Sequence, residues 1–115
     1  MTTTSNANPP FNRLLLTGAA GGLGKVLRER LQPFTRVLRL SDIAEMEPAR
    51  GPHEEVQRCD LADKQAVHAL VEGVDAILHF GGVSVERSFE EILGPNICGV
   101  FHIYEAARRH GVKRV

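Results

Sequence analysis

The sequence predicts an α/β domain in which a mostly parallel sheet carries helices on both faces. Short apolar runs alternate along the chain with stretches whose apolar residues recur at helical spacing. A glycine-rich turn follows the first apolar run directly. The 115 residues are 43% hydrophobic and 24% charged, which is typical of a globular chain, and their number fits one domain.

The first half of the chain predicts a strand, a helix and a second strand. Leu14–Leu16 is an apolar run bounded by Thr17-Gly18, as expected of a strand buried on both faces. Residues 22–31 form the predicted helix, which ends before Pro33. Its apolar face is predicted to consist of Leu23, Val26, Leu27 and Leu31. Residues 36–40 form the second strand, and residues 43–52 read as a loop because they contain two prolines and a glycine.

The second half continues the alternation. Residues 55–59 are a weaker third strand, and Asp60 is the predicted N-cap of a helix over residues 62–72. The inner face of that helix is predicted to be Ala66, Val67, Leu70 and Val71. Residues 76–80 form the fourth strand, which ends in Gly81-Gly82.

A last helical region follows the fourth strand. It is broken near Gly94-Pro95 and stops at Gly111, which suits a left-handed C-cap. Its apolar face is predicted to be Val100, Ile103, Tyr104 and Ala107.

The segment TGAAGGLG, residues 17–24, stands between a strand and a helix, which is the setting of a dinucleotide-binding loop. Gly18 lets the chain turn off the strand, Gly21 leaves room for a pyrophosphate, and Gly24 permits close packing of helix on strand. The helix start offers N–H groups and a positive dipole end to phosphates. The sequence therefore predicts a Rossmann-type doubly wound sheet.

Asp42 ends the second predicted strand, roughly 20 residues after the glycine loop. A carboxylate there accepts hydrogen bonds from ribose hydroxyls and repels a 2′-phosphate, so NAD is the predicted cofactor rather than NADP. The alternative is that Asp42 is a polar strand-end residue and the glycines only make a turn.

The Gly-x-x-Gly-x-x-Gly spacing resembles the extended short-chain dehydrogenase/reductase family. The resemblance implies that Asp60-Leu61 contacts the adenine ring and that Phe80, Gly81 and Gly82 flank the nicotinamide side. It also implies that the pyrophosphate is held by Gly18, Gly21, Gly22, Leu23 and Gly24. Residues 96–100, NICGV, resemble the family's Asn-Val-x-Gly-Thr segment, with Val100 in place of threonine. We expect Asn96 to bond backbone and His79 to pack in the core.

The resemblance can be narrowed by the run after the fourth strand, HFGGVSVERSFEEILGPNICGVFHIYEAARRHG. It is similar to a bacterial subgroup of the family that oxidises C1 of glucuronate or galacturonate with NAD to an aldarolactone. The resemblance implies that Ser84 contacts the sugar acid; a loop-capping serine is the alternative. A sugar-nucleotide epimerase or dehydratase, or a non-catalytic NAD-sensing module, remain the other interpretations.

Family members are expected to use a serine and a Tyr-x-x-x-Lys helix, with tyrosine as the acid/base. The single tyrosine, Tyr104, is followed four residues later by Arg108, but it precedes the fifth strand and is too early in the fold. No catalytic residue is therefore assigned within the chain. We expect residues 11–115 to be an incomplete NAD-binding domain that ends as its fifth strand starts. These residues alone are expected to be inactive.

Composition argues against several other classes of function. Fourteen basic and fourteen acidic residues give zero net charge, which favours neither nucleic acid nor an anionic membrane as partner. No run approaches 18 apolar residues, and the histidines show no metal-ligand spacing. Cys59 and Cys98 are predicted core thiols. Residues 1–10 read as a flexible tail without a signal sequence, which predicts a cytoplasmic location. A homo-oligomer of the full-length protein stays open.

Overall fold

The computed structural model describes residues 8–115, so the predicted tail, residues 1–10, lies mostly outside the described residues. Its sheet has four parallel strands, β1 (Phe11–Thr17), β2 (Thr35–Ser41), β3 (Glu54–Val56) and β4 (Ala76–His79). Their order is β3-β2-β1-β4, so the chain crosses over from one edge to the other after β3. Arg114 makes a parallel bridge to Ala76 beyond β4, where the fifth strand is predicted to start.

Within residues 8–115, four α-helices connect and cover the strands, together with two other helical segments. They are α1 (Gly22–Arg30), a 3-10 turn (Gln32–Phe34), α2 (Lys64–Val71), α3 (Phe89–Ile92), a π-helical segment (Leu93–Cys98) and α4 (Gly99–His110). The π-helical segment contains Pro95, which has no N–H to donate, and so the predicted break near Gly94-Pro95 is confirmed. Gly111 ends α4 with φ +71°, as predicted for a left-handed cap.

The two faces of the sheet carry separate apolar clusters because successive side chains of a strand point to opposite faces. Leu15 lies in the cluster with α2 and α4, whereas Leu14 and Leu16 lie in the cluster on the α1 side. The predicted arrangement of helices on both faces is therefore confirmed. Val67, Leu70 and Val71 of α2 are fully buried, as predicted, with Ala66 packed beside them.

The predicted apolar face of α1 is partly wrong. Leu23 and Val26 are 56% and 52% exposed, while Leu27 and Leu31 pack on the core. The helix is turned so that Gly24 faces the glycine turn between β1 and α1, where Gly18 and Ala19 lie against it. On α4 the buried residues are Gly99, Ile103, Ala106 and Ala107, and the last three lie in one apolar cluster with residues of α2. Val100 and Tyr104, also part of the predicted face, are exposed.

Two boundaries near the third strand also differ from the prediction. β3 ends at Val56 rather than at residue 59. Asp60 is not the N-cap of α2: its Oδ1 accepts a hydrogen bond from Ala62 N at 2.9 Å, which closes a local turn. Asp63 is the cap, because its carboxylate accepts from Ala66 N at 3.1 Å.

Both cysteines are free thiols. Cys59 is buried as predicted, but Cys98 is only half-buried, so it is not a core residue. Across residues 8–115, none of the helices is long and apolar enough to cross a membrane.

Candidate functional site

The glycine turn between β1 and α1 is crowded by backbone at two positions, Gly18 and Gly24. Gly18 has φ +74°, and a Cβ there would lie 2.6 Å from Phe80 O. A Cβ on Gly24 would overlap Gly18 O and would lie 2.7 Å from Ala19 Cα. Gly24 therefore packs closely on the residues that directly follow β1.

The space in front of α1 is open. The N-cap residue is Gly21, which supplies no side chain to the first-turn N–H groups. A Cβ on Gly22 would meet nothing within 4 Å, and Leu23 is more than half exposed. An N-terminus of this kind is suited to an anionic group, because backbone N–H groups and the helix dipole both face it.

Asp42 follows β2 directly, and its carboxylate is fixed from two sides. Oδ2 accepts a hydrogen bond from Ala20 N in the glycine turn, and Oδ1 accepts one from Ala44 N, each at 3.0 Å. A carboxylate has about four lone-pair sites, so acceptor capacity remains for a ligand hydroxyl. Asp42 thus connects the glycine turn to the loop after β2 and presents a negative charge beside both.

Thr17, at the end of β1, is a buried residue of this site that the sequence argument did not single out. Its Oγ1 accepts hydrogen bonds from Phe80 N and Gly81 N, each at 2.9 Å. Because both lone pairs are used, the hydroxyl proton is donated to His79 Nδ1, 2.7 Å away. His79 is accordingly neutral with its proton on Nε2, and burial lowers its pKa. His79 is half-buried and hydrogen-bonded to Thr17, so the expected core packing is only partly met.

The chain after β4 is shaped by two glycines and by Asn96. A Cβ on Gly81 would lie 2.8 Å from Leu61 Cδ1. Gly82 has φ +133°, and a Cβ there would lie 2.8 Å from Asn96 Oδ1. Asn96 accepts a hydrogen bond from Val83 N at 2.7 Å and donates one to Val83 O at 2.9 Å. The expected backbone-bonding role of Asn96 is confirmed.

These segments enclose a cleft of about 460 Å³ at the carboxyl ends of the strands, where parallel α/β sheets bind ligands. The predicted site residues that line it are Gly18, Gly21, Asp42, Asp60, Leu61, Phe80, Gly81, Gly82 and Ser84. Gly22, Leu23 and Gly24 are not among its lining residues; they form the first turn of α1. Ser84 is exposed at its rim, and Tyr104 is not part of its lining.

Cys59 also lines the cleft. Burial, with the nearby Asp60 and Asp63 carboxylates, raises the pKa of its thiol to about 11. The thiol therefore stays protonated near neutral pH, and Cys59 contributes apolar wall rather than a nucleophile. Among residues 8–115 no group of three or more acidic, histidine or cysteine side chains is placed to hold a metal ion.

Comparison with known families and proteins gives a consistent result. The NAD dependent epimerase/dehydratase family matches residues 14–115. The chain is 81% identical, over all 115 residues, to a uronate dehydrogenase of Pseudomonas syringae pv. tomato and covers 42% of it. It is 78% identical over the same length to a uronate dehydrogenase of Pseudomonas putida and covers 41% of that protein.

A solved structure shows the same fold. It is a crystal structure of a mutant uronate dehydrogenase from Agrobacterium tumefaciens complexed with NAD, with a TM-score of 0.84 and 58% sequence identity. The match covers 87% of this chain and 37% of that one. The chain thus spans about two fifths of the length of the curated relatives it matches.

Proposed function

Because the chain belongs to the NAD dependent epimerase/dehydratase family, we propose that it forms the NAD-binding part of a uronate dehydrogenase. The observation that carries the proposal is the cleft. Its walls are formed by the glycine turn, Asp42, residues 60–61 and the chain after β4. Identity of about four fifths with one uronate dehydrogenase supports the choice of substrate class. The reaction would oxidise C1 of a cyclic glucuronate or galacturonate to an aldarolactone, with NAD accepting the hydride.

The residues of the cleft fit a dinucleotide. The open first turn of α1 suits the pyrophosphate, so Gly18 and residues 21–24 would hold it. Asp42 would accept the hydroxyls of the adenosine ribose, and its charge would disfavour a 2′-phosphate, which favours NAD over NADP. Asp60 and Leu61 would contact the adenine ring.

The chain after β4 would lie along the nicotinamide side of the cofactor. Phe80, Gly81 and Gly82 line the cleft there, and the backbone of this segment is fixed by Thr17 and Asn96. Ser84 stands just beyond the glycines with its side chain exposed. Its hydroxyl can donate to a sugar carboxylate or accept from a sugar hydroxyl. It would therefore orient the sugar acid. The acid/base group is not assigned to any of these 115 residues.

The test follows NADH formation by the full-length protein with glucuronate and galacturonate. A nucleotide sugar is assayed separately by chromatography of its products, because an epimerase or dehydratase returns the hydride to the sugar and leaves no net NADH. We expect turnover with a uronate, and we expect Ser84→Ala to raise KM for the uronate about five-fold while leaving the Kd for NAD unchanged. Turnover of the nucleotide sugar alone would identify a different reductase. NAD binding without turnover of any sugar would favour a sensing module. Either result would refute the proposal.

We also propose that the full-length protein is cytoplasmic and forms a homo-oligomer. Both cysteines are free thiols, which suits a reducing compartment. An apolar stripe follows the α3–α4 region at helical spacing and stands exposed, its members being Phe89, Leu93, Ile97, Phe101 and Tyr104. Light scattering on the full-length protein should give a mass above one subunit. Phe101→Glu, on the stripe, should reduce that mass; a monomeric wild type would contradict this proposal.

A further inference from the structure

His102 lies outside the cleft but forms a hydrogen bond with the backbone of Leu61, which lines it. It lies on α4, and its Nδ1 is 2.8 Å from Leu61 O. A carbonyl oxygen only accepts, so Nδ1 must carry the proton and the imidazole is the donor. Leu61 lines the cleft whereas His102 does not. The bond therefore acts on the cleft through the backbone of Leu61.

The turn that contains Leu61, residues 60–62, is flanked by a backbone hydrogen bond on each side. On one side Cys59 N donates to Asp42 O at 3.1 Å, and on the other Asp63 N donates to Asp60 O at 3.0 Å. The hydrogen bond from His102 connects the carbonyl of Leu61, the middle residue of the turn, to α4. It therefore sets how far residues 60–62 stand from the helix, and so the width of the cleft at this turn.

The surroundings of Leu61 leave little tolerance for movement of this turn. A Cβ on Gly99 of α4 would lie 3.0 Å from Leu61 Cβ, and one on Gly81 would lie 2.8 Å from Leu61 Cδ1. Leu61 is thus packed between α4 and the chain after β4, with 9% of its surface exposed. Displacement of its backbone would alter two walls of the cleft together.

We infer that His102 is a positioning residue for the adenine end of the cleft, because its Nδ1–H fixes the Leu61 carbonyl that holds the 60–62 turn in place. The inference rests on the proposed function, in which Asp60 and Leu61 contact the adenine ring. Loss of the donor would leave the part-buried carbonyl of Leu61 without this partner. A single hydrogen bond of this kind corresponds to a change of about five-fold in Kd.

The experiment uses four variants of the full-length protein. His102→Leu removes the donor. His102→Asn keeps an amide nitrogen at the position of Nδ1, whereas His102→Gln moves it towards the position of Nε2. His110→Leu is the matched control, because His110 is an exposed histidine on the same helix. Calorimetric titration with NAD and with ADP-ribose gives Kd values, and steady-state assays give KM for NAD, KM for uronate and kcat.

We expect His102→Leu and His102→Gln to weaken NAD and ADP-ribose equally, by about five-fold, and to raise KM for NAD by the same factor. KM for uronate and kcat should stay at the wild-type values, and His102→Asn should bind as the wild type does. A purely structural role would instead lower kcat or the melting temperature without this split. If His102→Leu does not fold, the Kd values of His102→Asn and His102→Gln for NAD still test the inference.

Two negative outcomes separate the inference from the proposed function. A wild-type protein that binds neither NAD nor ADP-ribose would refute the proposed function, and the inference with it. A wild type that binds both would leave the function standing. In that case the inference about His102 is overturned if the asparagine and glutamine variants bind equally, or if His102→Leu binds within two-fold of His110→Leu.

Discussion

The hydroxyl of Thr17 lies 2.7 Å from Nδ1 of His79 and joins the carboxyl ends of β1 and β4 beneath the cleft. The same oxygen accepts hydrogen bonds from Phe80 N and Gly81 N. One buried side chain thus positions the backbone that would flank the nicotinamide. This arrangement depends on the protonation state of His79, because a protonated imidazole would direct a second donor at an oxygen whose lone pairs are already used.

Acid should therefore destabilise the protein through His79. Burial lowers the pKa of His79 below its ordinary 6.5, so between the two pKa values the unfolded chain binds more protons than the folded one. The stability due to neutral His79 is present above pH 6.5 and is lost as pH falls through the lower, folded value. We expect the melting temperature of the full-length wild type to fall more than that of His79→Asn between about pH 8 and pH 5.

The asparagine variant offers an acceptor to Thr17 but does not titrate. The pKa of His68 is also lowered, mainly by burial, but His68 is present in both proteins and cancels in the difference. Parallel melting curves for His79→Asn and the wild type across this pH range would show that His79 is not the titrating group.

Gly24 and Gly22 form a matched pair for testing the glycine turn. A Cβ on Gly24 would overlap the backbone of Gly18 and Ala19, whereas one on Gly22 would meet open space. We expect Gly24→Ala to lower the free energy of unfolding by about 1–3 kcal/mol or more, and Gly22→Ala to change it by less than about 1 kcal/mol. Denaturant unfolding of the two full-length variants measures both. Equal losses would contradict the packing described for the turn.

Arg28 and Glu54 form a buried ion pair between α1 and β3. Arg28 Nη2 lies 2.7 Å from Glu54 Oε1, and the side chains are 6% and 0% exposed. Arg28 also donates to the carbonyls of Glu47 and Pro48, so it holds the loop after β2. Removing one partner of a buried pair leaves an uncompensated charge. We expect Arg28→Leu to cost about 3–5 kcal/mol of stability by denaturant unfolding.

The matched control is Glu29→Gln, because Glu29 is also on α1 and forms an exposed ion pair with Arg50 of the loop after β2. It should leave stability almost unchanged, because exposed pairs are screened by solvent. The hydrogen bond from Arg28 lowers the pKa of Glu54 to about 2 from an ordinary 4.5. The stability that ionised Glu54 contributes is therefore present above pH 4.5 and is lost as pH falls towards 2. Equal losses for Arg28→Leu and Glu29→Gln would contradict the assignment of a buried pair.

The positions of the cleft residues followed from the sequence where the signal was local. Gly18 and Asp42 are strand-end residues, and parallel strands bring their carboxyl ends to one edge of the sheet. Long-range partners were not visible: Thr17 and His79 are 62 residues apart, and His102 and Leu61 are 41 apart. The spacing of apolar residues along α1 could not predict which face of the helix is buried. The face is set by the close contact of Gly24 with the glycine turn, which is not visible in the sequence.

Asp42 tests the cofactor assignment most sharply. Asp42→Ala removes the acceptor for Ala20 N and Ala44 N as well as the proposed ribose contact. We expect the Kd for NAD to rise about ten-fold and the preference for NAD over NADP to shrink, since the charge that repels a 2′-phosphate is gone. Glu72→Gln, which removes an exposed carboxylate outside the cleft, is the control and should change neither value.

The most direct measurement is calorimetric titration of the full-length wild type and of Asp42→Ala with NAD and NADP. The wild type should bind one NAD per subunit saturably and more tightly than NADP, and the substitution should remove most of that preference. Absence of saturable NAD binding by the wild type would contradict the proposal that this cleft is an NAD site, and equal affinity of the wild type for NAD and NADP would contradict the role of Asp42.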